Sequence, residues 1–371
     1  MTARNGDQPR RRGDARLALF LTVALAVAPG LLISSTPAGA RPGKPPHPTT
    51  TTSTSTTTST STSTSTSTTT TLPGSTRPTG KLVPSAGALL GGFMSPAGTG
   101  WHQADVTARE ALLGRKLDVD HRYSSWTTAF PTSNDSWDVQ NGRVPMITWQ
   151  PTGTTLDAIN AGTFDDMIRT RARAVAAFGT PIFLRWAHEM NGNWYPWDGY
   201  HNNTPGLYDG PAKYVGAWRH IHDLFVAAGA TNAVWAWCPN RASFPTDAWN
   251  AYQNYYPGDS YVDWVCIDGY NRFTTNWRTF SIIFTPIYTT YATTKPIMIG
   301  ETASVEGLTA GQKATWIADT QSAIKQSFPA VAAFLWFDSQ ANGNDWRIDS
   351  SATSLQAFQA LALDPYFRTR S

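Results

Sequence analysis

Charge and cysteine are both scarce in this sequence. Only 15% of its 371 residues are charged, and it has two cysteines. Two cysteines are too few for a disulfide-stapled scaffold or for a zinc site built from several thiolates. Five of the 29 Lys and Arg residues and two of the 26 Asp and Glu residues lie in the first 40, which leaves 24 of each sign beyond them. A chain without a basic stripe is not typical of nucleic-acid binding, so we expect no nucleic-acid partner.

The N-terminus has the layout of an export signal. Residues 1–16 are rich in arginine, residues 17–33 are mainly apolar, and Ala38-Gly39-Ala40 offers the small residues that a signal peptidase requires. We predict a secretory signal peptide over residues 1–40, an extracellular location and no stable membrane insertion after processing. An uncleaved membrane anchor is the alternative.

A segment without core-forming residues follows the signal. Residues 41–80 are rich in Pro, Thr and Ser, and residues 49–71 are Thr or Ser throughout. Such a segment has no apolar surface to offset the entropy lost on ordering, which predicts a disordered linker over 41–80. One alternative is an envelope protein whose functional part is this Thr/Ser stalk. That hypothesis leaves the polar residues described below unexplained.

Strand and helix patterns alternate over residues 81–371, which predicts βαβ units of the α/β class. Three amphipathic stretches, around residues 164–176, 214–225 and 316–324, have helical spacing. Eight strands in about 290 residues fit a single (β/α)8 TIM barrel. A doubly wound sheet is the rival, but the G-x-G-x-x-G phosphate loop typical of that fold is absent. The eight predicted strands are Ala88–Phe93, Lys116–Asp120, Val144–Trp149, Ile182–Trp186, Ala233–Trp237, Val262–Ile267, Ile297–Gly300 and Val331–Trp336.

Polar and aromatic residues follow the predicted strands, at the end of a barrel where active sites lie. Glu189 follows strand four and Glu301 follows strand seven, on opposite sides of an eight-stranded barrel. Paired carboxyl groups are what glycoside hydrolysis requires, and aromatic rings stack on sugar faces. The strand ends lack the Cys and His density of a metal site, so we expect neither a metal nor a cofactor. These strand ends therefore predict a carbohydrate cleft in a monomeric enzyme.

Two segments carry a family resemblance. Residues 183–195, which read FLRWAHEMNGNWY, resemble the acid/base segment of glycoside hydrolase family 26, and residues 295–301, KPIMIGE, are similar to its nucleophile strand. Asp268-Gly269-Tyr270 and Trp336 resemble its signatures on strands six and eight. The similarity extends from residue 88 to about residue 360. It implies a retaining (β/α)8 enzyme whose partner is a β-linked polysaccharide substrate. In it, Glu189 would be the general acid/base and Glu301 the nucleophile.

The resemblance also implies roles for neighbouring side chains. His188 would orient the acid or contact substrate, and Tyr270 would donate a hydrogen bond to Glu301. Trp194 would line the cleft, and Trp336 would be the platform beneath the sugar that is cleaved. Two further candidates for sugar contacts are His121 and Trp149. The alternative for Trp149 and Trp336 is a place in the barrel core, and for His121 a structural role.

The resemblance favours an endo-β-1,4-mannanase. Many mannanases of the family continue the acid segment as Trp-Phe-Trp-Trp-Gly, whereas residues 194–199 here read WYPWDG. This difference makes a mixed-linkage β-1,3-1,4-glucanase (lichenase) the main alternative, and a non-catalytic carbohydrate-binding barrel a remote one.

Arg185 is expected to be structural. Cys238 and Cys266, on neighbouring strands, form either a disulfide or two buried thiols.

Overall fold

The structure is a computed structural model that describes residues 77–367. The predicted signal peptide and all but the last residues of the predicted linker lie outside the described residues. Arg77 belongs to that linker in the sequence prediction, yet its guanidinium donates to the carbonyl oxygens of Pro329 and Val331 at 3.1 and 3.0 Å. The contacts of the folded part therefore begin before Lys81.

Eight parallel strands close a barrel within the described residues. Each strand pairs with its neighbours in chain order, and β1 also pairs with β8, which completes the ring. A short β9 continues from β8 as an antiparallel hairpin. The predicted (β/α)8 fold is confirmed. The strands are β1 Leu89–Ser95, β2 Val119–Ser125, β3 Val144–Gln150, β4 Ile182–Trp186, β5 Ala233–Trp237, β6 Trp264–Asp268, β7 Ile297–Thr302, β8 Val331–Ala341 and β9 Asn344–Asp345.

Helices surround the barrel, and the three predicted ones are present as α4 (Asp165–Phe178), α6 (Gly210–Ala227) and α8 (Gln312–Gln326). A glycine in the left-handed region follows α4, where Gly179 has φ 71°, because that conformation ends a helix at little cost for a residue without Cβ. No helix within residues 77–367 combines the length and the hydropathy that a membrane crossing requires. The helices are α1 Gln103–Leu113, α2 Ser133–Gln140, α3 Leu156–Asn160, α4 Asp165–Phe178, α5 Gly199–Asn202, α6 Gly210–Ala227, α7 Phe280–Tyr291, α8 Gln312–Gln326 and α9 Ala352–Leu363.

The second strand differs most from its prediction. The apolar pattern places it at Lys116–Asp120, whereas β2 runs from Val119 to Ser125 and pairs with β3 along its whole length. The late part of β2 is polar, since it reaches the mouth of the barrel. Hydrophobicity alone therefore places the strand too early in the chain.

Two apolar layers hold the barrel together. Side chains of alternating strand residues fill its interior, among them Met146, Phe183, Trp264 and Met298, as is usual for this fold. A larger outer layer packs the opposite faces of the strands against the helices. Because both faces of each strand are buried, the polar groups of the mouth rest on a rigid, close-packed support.

Candidate active site

The chain turns sharply where β4 ends. Ala187 and Glu189 have φ values of 47° and 54°, in the left-handed region that costs a residue with a Cβ about 1–2 kcal/mol. Backbone hydrogen bonds to both flanking strands hold this conformation. The Ala187 N–H donates to the Trp149 carbonyl at 3.1 Å, and the Glu189 N–H donates to the Cys238 carbonyl at 2.7 Å. The turn thereby fixes Glu189 at the mouth of the barrel.

Glu189 is buried and hydrogen-bonded to neutral donors. The Trp194 indole N–H donates to its Oε2 and the Asn240 amide to its Oε1, both at 2.8 Å. Gly192 makes room for this indole, because a Cβ there would lie 2.6 Å from the Trp194 ring. Burial and then the charge of Glu301 raise the pKa of Glu189, while the two donors partly oppose the shift. The environment favours a protonated carboxyl group, as a general acid requires.

Glu301, at the end of β7, lies among donors that suit an ionised carboxylate. Its Oε2 accepts from the Tyr270 hydroxyl at 2.7 Å, and its Oε1 accepts from Arg185 at 2.6 Å and from the Tyr123 hydroxyl. Burial and the charge of Glu301 raise the pKa of both tyrosines well above the usual value, so they remain protonated donors. Arg185 is fully buried and also pairs with Asp268 at 2.9 Å. Charge-assisted donation of this kind stabilises the anion.

Both carboxyl groups line one cleft of about 810 Å³ at the mouth. Its walls carry many aromatic side chains, whose flat apolar faces suit sugar rings and bury area at low entropic cost. Such a volume is typical of sites that hold a small molecule or a short stretch of a polymer. The aromatic lining residues are Phe93, Trp101, Tyr123, Trp194, Tyr195, Phe244, Tyr270, Phe273, Phe337 and Trp346.

The structure brings four of the predicted site residues together at this cleft, namely Glu189, Glu301, Trp194 and Tyr270. His188 lies behind the cleft wall, 1% exposed, with its Nε2 3.3 Å from the Tyr195 hydroxyl. Burial lowers its pKa well below the usual value, so the imidazole is neutral. This placement fits a residue that supports the acid rather than one that contacts sugar.

Three further predicted residues do not line the cleft. His121 is buried inside the barrel, where its Nε2 lies 2.7 Å from the Thr148 hydroxyl. Trp149 packs in the outer layer, stacked on Trp126 with ring centroids 4.4 Å apart. Trp336 also lies in the outer layer, and its ring centroid is 5.1 Å from that of Phe358 in α9.

The prediction of a sugar platform therefore does not fit Trp336. Successive side chains of a strand point to opposite faces, so Trp336 faces the helices and the next residue, Phe337, faces the cleft. Trp346 lies on the same side of the cleft, with its ring 5.1 Å from that of Tyr270. The core alternative considered for Trp149 and Trp336 agrees with their positions.

Sequence reasoning missed Tyr123 and Asn240, which contact the two carboxyl groups directly. Tyr123 could have been found from its spacing to the candidate His121. The two residues are two apart on one strand, and such residues share a face. Arg185 does tie strand ends together, as expected, but through a direct bond to Glu301. Asn240 follows β5 in a loop that carries no recognisable motif.

The two cysteines form a disulfide between the end of β5 and β6. Cys238, Cys266 and Asp268 bring three potential metal-ligand atoms together, but sulfurs joined in a disulfide offer no thiolate to a metal. The disulfide lies directly beneath β7, where a Cβ on Gly300 would overlap the Cys266 sulfur. Gly300 is thus the residue that allows β7 to approach the disulfide.

A family model described as "Glycosyl hydrolase family 26" matches residues 126–366. The chain belongs to this family. The assignment confirms the resemblance seen in the sequence, and with it the class of enzyme, a glycoside hydrolase.

Curated relatives of the chain differ in the activity that their names state. Endoglucanase H of Acetivibrio thermocellus is 36% identical over 284 residues, which cover 74% of this chain and 30% of that protein. A mannan endo-1,4-beta-mannosidase of Bacillus subtilis is 27% identical over 226 residues, covering 57% of this chain and 53% of that protein. The chain thus spans 30% of the length of the first relative and 53% of the length of the second.

Solved family 26 structures share the fold. A β-mannanase from Bacteroides ovatus superposes with a TM-score of 0.56 at 16% identity, covering 76% of this chain and 90% of that one. A mannanase of Bacillus subtilis gives a TM-score of 0.54 at 17% identity over 76% of this chain and 86% of that one. At such identities the likeness concerns the barrel alone.

Proposed function

We propose that this chain hydrolyses internal bonds of a β-linked glycan in two steps with retention of configuration. The observation that carries the proposal is the pair of carboxyl groups in opposite surroundings at one cleft. Glu189 is hydrogen-bonded to neutral donors and has a raised pKa, whereas Glu301 is bonded to the Arg185 guanidinium. One acid and one ionised carboxylate are the two groups that this reaction needs.

In the first step, a Glu301 oxygen attacks the anomeric carbon while Glu189 gives its proton to the departing glycosidic oxygen. A covalent glycosyl-enzyme forms, and the part of the glycan chain on the other side of the cleaved bond leaves with the proton from Glu189. In the second step, Glu189 takes a proton from water, whose oxygen attacks the anomeric carbon and releases Glu301. Proton NMR of early products should show the β-anomer first, and an initial α-anomer would rule out this sequence of steps.

For the substrate, we infer an internal bond of β-glucan, with the mixed-linkage polymer as the leading example. The identity of 36% with an endoglucanase, against 27% with a mannanase, supports glucan. The WYPWDG segment beside the acid, which departs from the pattern of many mannanases, supports it too. β-1,4-Mannan, the substrate that the sequence alone favours, is the second candidate, since mannanases are among the family relatives.

Release of reducing ends should be measured in parallel from barley β-glucan, galactomannan, glucomannan and β-1,3-xylan. We expect the highest kcat/KM on barley β-glucan, with an early fall in viscosity that marks internal cleavage. Faster cleavage of galactomannan than of barley β-glucan would reverse the order of the two candidates.

We also propose that the enzyme is exported and acts as a monomer. The arginine-rich start and the apolar run before Ala38-Gly39-Ala40 support removal of residues 1–40. Mass spectrometry of the culture medium should find a chain that begins at Arg41, and light scattering should give the mass of one copy. A full-length chain retained in the membrane fraction would favour the anchor instead.

A further inference from the structure

Three arginines line the cleft with guanidinium groups that have no ion pair and no hydrogen bond among the described residues. Arg241 follows β5, and Arg272 and Arg278 lie in the loop between β6 and α7. Arg272 faces the rings of Tyr270 and Trp346, with its guanidinium carbon 5.4 and 5.9 Å from their centroids. None of the three guanidinium groups forms an ion pair or a hydrogen bond with any residue of the range 77–367.

Every other arginine in the described part of the chain is bonded through its side chain. Most of them pair with carboxylates, as Arg109 does with Asp338 at 2.7 Å and Arg347 with Asp345 at 2.6 Å. Others donate to backbone carbonyl oxygens, as Arg219 does to Pro257 at 2.8 Å. The three cleft arginines are therefore exceptions, because every other described guanidinium group has at least one ion pair or hydrogen bond.

The charge of the cleft is unbalanced. Among the described residues that line it, Glu189 and Glu301 are the only acidic ones. The environment of Glu189 favours the neutral form, and Glu301 is already paired with Arg185. Burial, followed by the charges of the two other cleft arginines, lowers the pKa of Arg241. Arg241 is thus repelled by both Arg272 and Arg278, and no carboxylate among residues 77–367 forms an ion pair with any of the three.

The position of the cluster links it to the substrate. Arg241 directly follows Asn240, whose amide is bonded to Glu189, and the Arg241 side chain passes over Gly269, where a Cβ would lie 3.1 Å from its Cδ. Arg241 therefore lies beside the acid, whereas Arg272 lies over Tyr270, whose hydroxyl is bonded to Glu301. Guanidinium groups bind carboxylate, sulfate and phosphate oxygens in a two-pronged geometry that neutral hydroxyls do not match.

We propose that Arg241, Arg272 and Arg278 bind an anionic substituent on a sugar next to the bond that is cleaved. This substituent is a carboxylate or a sulfate ester. The inference rests on the proposed function, since it assumes that a glycan occupies the cleft. The preferred polymer then carries acidic groups on its β-linked backbone.

Binding is measured by calorimetry on the full-length chain with Glu301→Gln, so that turnover does not interfere. The probes are carboxymethyl, sulfated and hydroxyethyl glucomannan at equal degrees of substitution, because this backbone contains both glucose and mannose. The carboxymethyl or sulfated polymer should bind about tenfold more tightly than the neutral hydroxyethyl polymer at low salt. The advantage should fall to less than about twofold in 1 M NaCl, where the screening length is about 3 Å.

Variants decide whether the arginines cause the preference. Arg272→Gln and Arg278→Gln should each lower the anionic-to-neutral affinity ratio about three- to tenfold. Arg173→Gln is the matched control, because Arg173 is an exposed residue of α4, on the outside of the barrel, and its loss should leave the ratio unchanged. Thermal melting checks folding, and Arg241→Gln should raise the Tm because it relieves the repulsion.

The relative affinities of the two anionic polymers identify the source of the charge. Tighter binding of the carboxymethyl polymer indicates uronic-type sugars, and tighter binding of the sulfated polymer indicates ester-substituted sugars. Equal affinity for the anionic and neutral polymers, or a preference that survives both arginine substitutions, would overturn the proposal. Failure of the proposed function itself would appear separately, as a wild-type enzyme that cleaves none of the unmodified glycans.

Discussion

The different surroundings of Glu189 and Glu301 predict different responses to their removal. With Glu189→Ala, proton donation is lost and cleavage of polysaccharide, whose leaving group is poor, should slow about 10²–10⁴-fold. An aryl glycoside with an acidic phenol needs little protonation, so it should still form the glycosyl-enzyme at near-normal speed. The intermediate should then accumulate, because no base activates water. With Glu301→Ala, every substrate should slow by roughly 10⁴–10⁶-fold.

Stopped-flow release of the phenol measures the first step, and intact-protein mass spectrometry detects the intermediate. Azide provides a second, independent distinction. It should rescue Glu189→Ala with a β-glycosyl azide, since it attacks the covalent intermediate, and Glu301→Ala with an α-glycosyl azide, since it replaces the nucleophile. If the two variants respond alike to leaving group and to azide, the assignment of acid and nucleophile is wrong.

Four further outcomes follow from the packing and the charges. Gly300→Ala should destabilise the fold by about 1–3 kcal/mol in urea unfolding, because the new methyl group overlaps the disulfide beneath it. Trp336→Phe should lower stability with little change in KM, whereas Trp346→Ala should raise KM, because only Trp346 lines the cleft. Glu189→Gln should raise the Tm more at pH 7 than at pH 4. Burial and the charge of Glu301 raise the pKa of Glu189 in the folded state. The stability of the wild type therefore falls as the pH rises through this folded-state pKa, and the substitution removes that loss. Glu306→Gln should lower the Tm more at pH 7 than at pH 4. Burial raises the pKa of Glu306, but hydrogen bonds lower it further, so that the pKa in the folded state lies below the unfolded value. The ionised group therefore stabilises the fold above its unfolded pKa, and this stability is lost as the pH falls through the folded pKa.

Much of the barrel could be predicted because its strands are apolar runs separated by helical patterns. Both carboxyl groups could be placed for the same reason, since each follows such a run directly. The family resemblance then distinguished acid from nucleophile, which no pattern of hydrophobicity can do. The structure adds the physical basis of that distinction, because only Glu301 contacts a cation and only Glu189 is surrounded by neutral donors.

The orientation of individual side chains could not be predicted in the same way. Strands buried on both faces lack the alternation that shows which residues point inward, so Trp336 and Phe337 could not be told apart from the sequence. Tyr123 was missed because β2 continues past its apolar start into polar residues. The cleft arginines could not be identified at all. Their common feature is that their guanidinium groups have no ion pair and no hydrogen bond within residues 77–367, and only the fold determines which groups are near.

The conformation of the acid depends on the support around it. Two residues in left-handed backbone within one turn would not persist in an isolated chain, because each costs about 1–2 kcal/mol. Here the Asn191 amide donates to the Asn240 carbonyl while its oxygen accepts from the Asn240 N–H, both at 2.9 Å. The side chain of Asn240 in turn donates to Glu189, so one residue joins the strained turn to the acid's carboxyl group. Catalytic geometry and backbone strain are therefore stabilised by the same contacts, and these contacts rest on the packed ends of β4 and β5.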